Sequence, residues 1–359
     1  MRILAAVLLS LLPCYGQGVP AVPVDGVPFV LRAFDNHSLV AVGDFHDMEE
    51  LHSFIRTLVQ SPRFPDAASE IVVEWGNSLY QDVADRYLVN GEMTPPESVS
   101  AIWRNTTQGI PSAMTGYPVW DSPVYQQFFE TVRAVNLALP LARRIRVILA
   151  DPPIDWKAVR TREDFSAWLD RREASFQSAM EQVLARKHKA LVLIGEGHLY
   201  RLRSQPGSLT QIEIDRPGTT YLIVPHAGFG FQNSQLEPLV SAWPANSIAP
   251  VSGTTLGAVP AGAINFNAMF GPGGPQNDPF SGLLLQDILD AYLYLGTRDS
   301  LHEWKPYAYI YQDRNYWNEL RRRSRIVSGQ AFDPAGHGWD NRTRLFDAPS
   351  GAVIVRIGN

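Results

Sequence analysis

Six short runs, at 39–42, 71–75, 146–150, 191–194, 221–224 and 291–295, are almost continuously apolar and rich in Val, Ile and Leu. Runs of that length without polar alternation predict strands buried on both faces, as in a parallel sheet covered by helices. Between them, apolar positions recur at helical spacing. Leu51, Phe54, Ile55, Leu58 and Val59 form one stripe, with Asp47 and Glu50 placed as a capping box in front of it. Ser78 and Gln81 repeat that spacing ahead of Val83, Tyr87 and Leu88, and Gly91 closes the helix. Ser122-Pro123 opens a third helix through Val124, Phe128, Val132, Val135 and Leu139. A fourth runs from about 163 to 187 through Phe165, Trp168, Leu169, Phe176, Met180 and Val183. Strands alternating with helices predict an α/β fold: an open, mostly parallel sheet with helices on both faces.

Two stretches fall outside this rhythm. Gly, Pro, Asn and Ala dominate 244–282, which reads as a loop or lid inserted before the apolar run at 291–295 returns to the core. Residues 300–359 are irregular and aromatic, with Trp304, Tyr307, Tyr309, Tyr311 and Trp317, and are expected to pack as an extension on an α/β domain spanning 17–299. At the other end, Arg2 precedes a short apolar run and Cys14-Tyr15-Gly16, which predicts a secretory signal over 1–16. The run is too short to span a bilayer, and no second apolar stretch approaches that length. The expected location is therefore periplasmic or secreted. Cys14 is the sole cysteine, so a chain cut after Gly16 has no disulfide, and Pro13 fits a lipid-anchor site poorly.

Composition adds mainly exclusions. The 359 residues are 45% hydrophobic and 19% charged, with a net charge of -5 and a pI near 5.9. An acidic chain lacks the basic excess that nucleic acid or an anionic membrane surface attracts. A small-molecule or peptide substrate is the expected partner. There is no Gly-x-Ser-x-Gly elbow, no His-Glu-x-x-His helix and no phosphate-binding Gly-rich loop.

Ligands of open α/β sheets sit beyond the carboxyl ends of the strands, so those ends are where chemistry should appear. The first strand runs into Gly43-Asp44-Phe45-His46, and the second ends at Glu74, followed by Asn77. The third exits onto Asp151, the fourth into Gly195-Glu196-Gly197-His198, and the fifth onto His226. Each presents a carboxylate or an imidazole. Glycine lets the backbone leave the strand sharply and approach a ligand closely. The histidine three residues on then faces the crevice, and Asp44 and Glu196 stand where a carboxylate can orient an imidazole or hold a metal. Asp151, before Pro152-Pro153, equally suits a turn. His52 lies one face over from the apolar stripe and reads as a surface residue, and His188, among Arg186, Lys187 and Lys189, reads as solvated. Trp75, Trp103, Trp120 and Tyr125 read as core.

Val40-Ala41-Val42-Gly43-Asp44-Phe45-His46-Asp47, Ile71-Val72-Val73-Glu74-Trp75 and Leu193-Ile194-Gly195-Glu196-Gly197-His198 together resemble the superfamily of Tiki metalloproteases, erythromycin esterases, TraB-type proteins and ChaN-like haem-binding lipoproteins. Arg146-Val147-Ile148-Leu149-Ala150-Asp151 and Asp290-Ala291-Tyr292-Leu293-Tyr294-Leu295-Gly296 support the match, which extends over about 39–296. The resemblance implies an active centre on His46, Glu74 and His198. The first turn commonly carries Glu where this chain has Asp44, and ChaN-like members often have a histidine at a position similar to His52.

These features point to a hydrolase of ester or amide bonds. In it, His46 or His198 activates water, Glu74 and Glu196 assist, and Asp44, Asp151, His226 and Asn77 support. A metal-assisted version places Mn²⁺, Co²⁺ or Zn²⁺ on His46, Glu74 and His198. The alternative is a ChaN-like exported protein that holds haem without catalysis. A third is a fold relative without activity.

Overall fold

The computed structural model describes residues 18–112, 116–226, 236–264, 279–331 and 342–344. The expected signal at 1–16, with Cys14, lies outside them, as do parts of the 244–282 insertion and most of the chain beyond 331.

All six expected strands form, each slightly longer or shorter than its apolar run. With two more they build one eight-stranded sheet in the order β1-β7-β8-β6-β2-β5-β3-β4. Here β1 is Val24–Asp25, β2 Leu39–Asp44, β3 Glu70–Asn77, β4 Arg146–Asp151, β5 Ala190–Gly195, β6 Thr220–Pro225, β7 Ser247–Pro250 and β8 Ala291–Tyr294. The pairs from β8 through β6, β2, β5 and β3 to β4 are parallel, while β7 pairs antiparallel with β8 and β1. Alternate strand residues enter two separate cores. Val40, Val42, Ile71, Val73, Leu191 and Leu193 join one, and Leu39, Ala41, Val72, Val192 and Ile194 join the other. Burial on both faces is what the unbroken apolar runs required. β7 falls inside the insertion that reads as loop; its four residues are too few to show a period.

Helices cover both faces, with four departures from expectation, one being that Asn77 and not Ser78 caps the second expected helix. The helix Glu49–Gln60 starts after Met48, and Asp47 does not cap it: Asp47 is buried, with φ of 64°. The expected helix at 163–187 is two helices, Arg162–Leu169 and Arg172–Ala185, the first capped by Thr161 and Asp164. His52 is wholly buried on the inner face of its helix. Gly91, at φ 75°, ends its helix in the left-handed form as expected. Trp75, Trp103, Trp120 and Tyr125 all lie in the first core. Among the described residues no helix is long and apolar enough to cross a membrane.

The segment after β8 crosses back over the first turn. In β9 (His302–Trp304), Trp304 donates its amide to the Asp47 carbonyl at 2.8 Å, and His302 pairs with Glu50 at 2.9 Å. The helix Arg314–Ser328 follows, where Arg322 and Arg323 donate to backbone carbonyls of Trp156, Val159, Arg104 and Gly109.

Candidate active site

β2 and β5 are neighbours in register, with Asp44 opposite Gly195. The two Gly-x-x-His turns, separated by about 150 residues of chain, therefore leave the sheet side by side at one height. Each glycine makes room for the other turn. A Cβ on Gly43 would stand 2.7 Å from the Cβ of Glu196. A Cβ on Gly195 would stand 3.1 Å from Glu74 Oε2, 3.3 Å from His46 Cε1 and 3.5 Å from His198 Cδ2. Glu74 and both imidazoles thus lie within 3.5 Å of one point. Gly43→Ala has no flexible side-chain tip to push aside. It is expected to cost about 1–3 kcal/mol, the usual range for overpacking, read as a lower midpoint in urea. An unchanged midpoint would contradict the packing of the two turns.

Each imidazole is held by its own carboxylate. His46 Nδ1 is 2.8 Å from Asp44 Oδ2, and His198 Nδ1 bonds Glu173 Oε1, whose second oxygen accepts from the Ser208 amide at 3.1 Å. Phe176 packs edge-on against His198, and Trp120 against His46. Both histidines are about one-third exposed, 33% and 31%. Among the described residues neither Nε2 has a hydrogen-bond partner, so both are available to a substrate or water. Asp44 is buried and meets three groups: His46, the Tyr125 hydroxyl at 3.5 Å, and His52 Nε2, 3.0 Å from its Oδ1.

Glu74, expected to assist the imidazoles, hydrogen-bonds neither ring among the described residues. Its Oε1 pairs with Arg172 and its Oε2 accepts the Gly195 amide at 2.6 Å, so it braces the second turn. Arg172 also faces the buried Asp151, 3.6 Å from Nε to Oδ1, and Asp151 accepts from the Thr107 amide at 2.7 Å. Arg172 and Glu173 open one helix, and the break before it is what aims both into the site.

Glu196 contributes charge near His46 without orienting either ring. Asn77 spends its side chain on backbone, donating to Asn105 and Ile154 and accepting from Leu79. His226 is buried elsewhere, between Tyr292 and Glu237 at 2.7 Å each. His188 is exposed as expected, beside Glu70.

The electrostatics follow the geometry. Burial works to lower the His46 pKa, but the hydrogen bond and charge of Asp44, with Glu74 and Glu196, more than offset it and raise it to about 9. Burial lifts Glu196 to about 7 against the pull of His46, and lifts Asp151 to about 7 against Arg172 and Thr107. Burial also works to raise Glu74, yet Arg172, the two histidines and the Gly195 amide hold it below the usual range.

The donor set does not suit the expected metal. Among the described residues no three His, Cys, Asp or Glu side chains converge as a metal site. His46, Glu74 and His198 are close, but a guanidinium and an amide occupy the Glu74 oxygens, leaving two imidazole nitrogens. Two imidazole nitrogens are fewer than the three protein ligands a catalytic divalent ion such as Zn²⁺ takes.

No known family profile matches the chain, and no curated protein matches it. A Bacillus cereus protein of known crystal structure shares the fold at a TM-score of 0.50 and 10% identity, over 77% of this chain and 95% of that one. The neighbours include ChaN of Campylobacter jejuni, described as binding haem cofacially (TM-score 0.35, 12% identity, 56% of this chain and 86% of that one). They also include the type III effector HopBA1 (0.36, 15%, 59% and 88%). At these identities the likeness is one of fold.

Proposed function

We propose that this chain hydrolyses an ester or amide bond through two carboxylate-held imidazoles that share one crevice. The observation that carries the reading is the convergence of His46, His198 and Glu74 on a single point, with one nitrogen of each ring left over. His198, with Glu173 behind it, acts as general base. Its Nε2 takes a proton from water as the water oxygen bonds to the acyl carbon. His46 is charged at neutral pH, and its Nε2–H stabilises the oxyanion that forms. Collapse expels the alcohol or amine, which leaves with the proton held by His198, so one water is consumed and an acid and a neutral leaving group are released. Arg172, Glu74 and the Gly195 amide keep the second turn at the right height.

The test is turnover of a panel of p-nitrophenyl esters and acyl anilides by the full chain across pH 6–10. Because His46 works in its charged form, activity should fall on the alkaline side as that proton leaves near 9. A rate still rising at pH 10 would contradict the role given to His46. A chelator should leave the rate unchanged, and activity restored by Mn²⁺, Co²⁺ or Zn²⁺ after chelation would overturn the metal-free mechanism. Haem binding is the competing reading. No turnover on any panel member, with a haemin Soret shift that disappears in His46→Ala, would favour it.

A further inference from the structure

We infer that His52 is a positioning residue for the proposed centre: it holds the far oxygen of Asp44 so that the near oxygen stays aimed at His46 Nδ1. The inference rests on the hydrolase reading only for what His46 then does.

Asp44 offers its two oxygens in opposite directions. Oδ2 meets His46 Nδ1 at 2.8 Å, and Oδ1 lies 3.0 Å from His52 Nε2. A carboxylate gripped at one oxygen alone can swing about its Cβ–Cγ bond, a broad two-fold torsion. A partner on each oxygen fixes its plane and hence the direction of the His46 bond. His52 suits that duty because it cannot move. It is wholly buried on the helix Glu49–Gln60, its amide donates to the Met48 carbonyl at 3.1 Å, and its ring stands edge-on to Tyr125 and Trp75 at 4.9 and 5.6 Å. Its other nitrogen, Nδ1, has no hydrogen-bond partner among the described residues, and the 3.0 Å approach of Nε2 to Asp44 Oδ1 is a close charge contact off hydrogen-bond alignment, so Asp44 is the polar group nearest this imidazole in its aromatic setting. A polar ring buried among aromatics costs free energy unless it is paired, and the Asp44 oxygen 3.0 Å away is the partner within reach. Second carboxylate partners of this kind set the tautomer and orientation of a working histidine.

Two substitutions separate positioning from packing. His52→Gln keeps a donor near the place of Nε2, while His52→Phe keeps the ring and removes both nitrogens. The readout is the downfield ¹⁵N–¹H correlation of the His46 Nδ1–H in the full-length protein, identified by its loss in His46→Gln. The expected pattern is that His52→Gln retains the signal and His52→Phe loses it, with both variants folded. The opposite pattern, or retention in both, overturns the inference, and so does loss in both. Should either variant not fold, the wild-type protein decides: His52 must carry its proton on Nε2. A His52 protonated on Nδ1 alone could not donate to Asp44 and would end the inference. None of these signals depends on turnover, so the hydrolase reading and this one fail separately.

Discussion

Replacing Arg172 by methionine is expected to destabilise the folded chain by about 3–5 kcal/mol, the cost of removing one partner from a buried ion pair. Arg172 is the cation that Glu74 and Asp151 share, and both carboxylates are fully buried. Methionine preserves much of the volume against Phe176, over which the guanidinium lies at 5.2 Å. What disappears is charge. The variant then keeps its carboxylates buried only by taking up a proton, and this fixes the pH dependence. In the wild-type chain Glu74 sits below its unfolded pKa, so its contribution is present above that value and lost as pH falls. Without Arg172, only the two histidines and the Gly195 amide oppose the burial of Glu74, and Asp151, already raised to about 7, loses the guanidinium that pulls it down. Both carboxyls therefore shift upward, and the variant gains stability relative to wild type on acidification. The deficit of Arg172→Met should therefore shrink between pH 7 and 5, measured by urea unfolding at each pH. Adding Glu74→Gln to Arg172→Met should recover part of the loss, which a double-mutant cycle isolates. A deficit below about 1 kcal/mol that does not vary with pH would mean that water already reaches these carboxylates.

The same residue marks where sequence reading stops. The six strands were legible because burial on both faces leaves no polar position in the run, and the exits were legible because glycine followed by an acid or histidine interrupts it. Arg172 and Glu173 were hidden because no Gly or Pro punctuates the break at Asp170-Arg171, so the two residues looked like solvent-facing charges on one long helix. One signal was available. Arginine in the first turn of a helix opposes the macrodipole, and a local rule broken without local gain often marks a site. His52 was misread for another reason. Amphipathic spacing reports where apolar groups are wanted, whereas His52 faces inward because Asp44 lies on the far side of that stripe. A buried carboxylate's need for partners is a three-dimensional demand with no period along the chain. The turns' reciprocal glycines, Gly43 beneath Glu196 and Gly195 beneath His46, are likewise visible only once β2 and β5 are neighbours.

The largest functional effect should come from the two imidazoles. His46→Ala and His198→Ala are each expected to lower turnover of whichever panel ester or amide the wild type cleaves by about 10²–10⁴-fold, the contribution of a positioned acid or base. Their effects on folding should differ, which guards against reading instability as catalysis. Glu173 is 49% exposed and returns to water when His198 is removed, so His198→Ala should unfold within about 0.5 kcal/mol of wild type. Asp44 is buried and keeps only His52 and the distant Tyr125 hydroxyl when His46 is removed, so His46→Ala should lose about 1–3 kcal/mol. Because the rings act on one water and one oxyanion, the double variant should be scarcely slower than the worse single one, the non-additivity of groups that work as a unit. Rates that multiply instead would mean the histidines serve separate steps. Full activity in both folded single variants would place the chemistry elsewhere on the molecule.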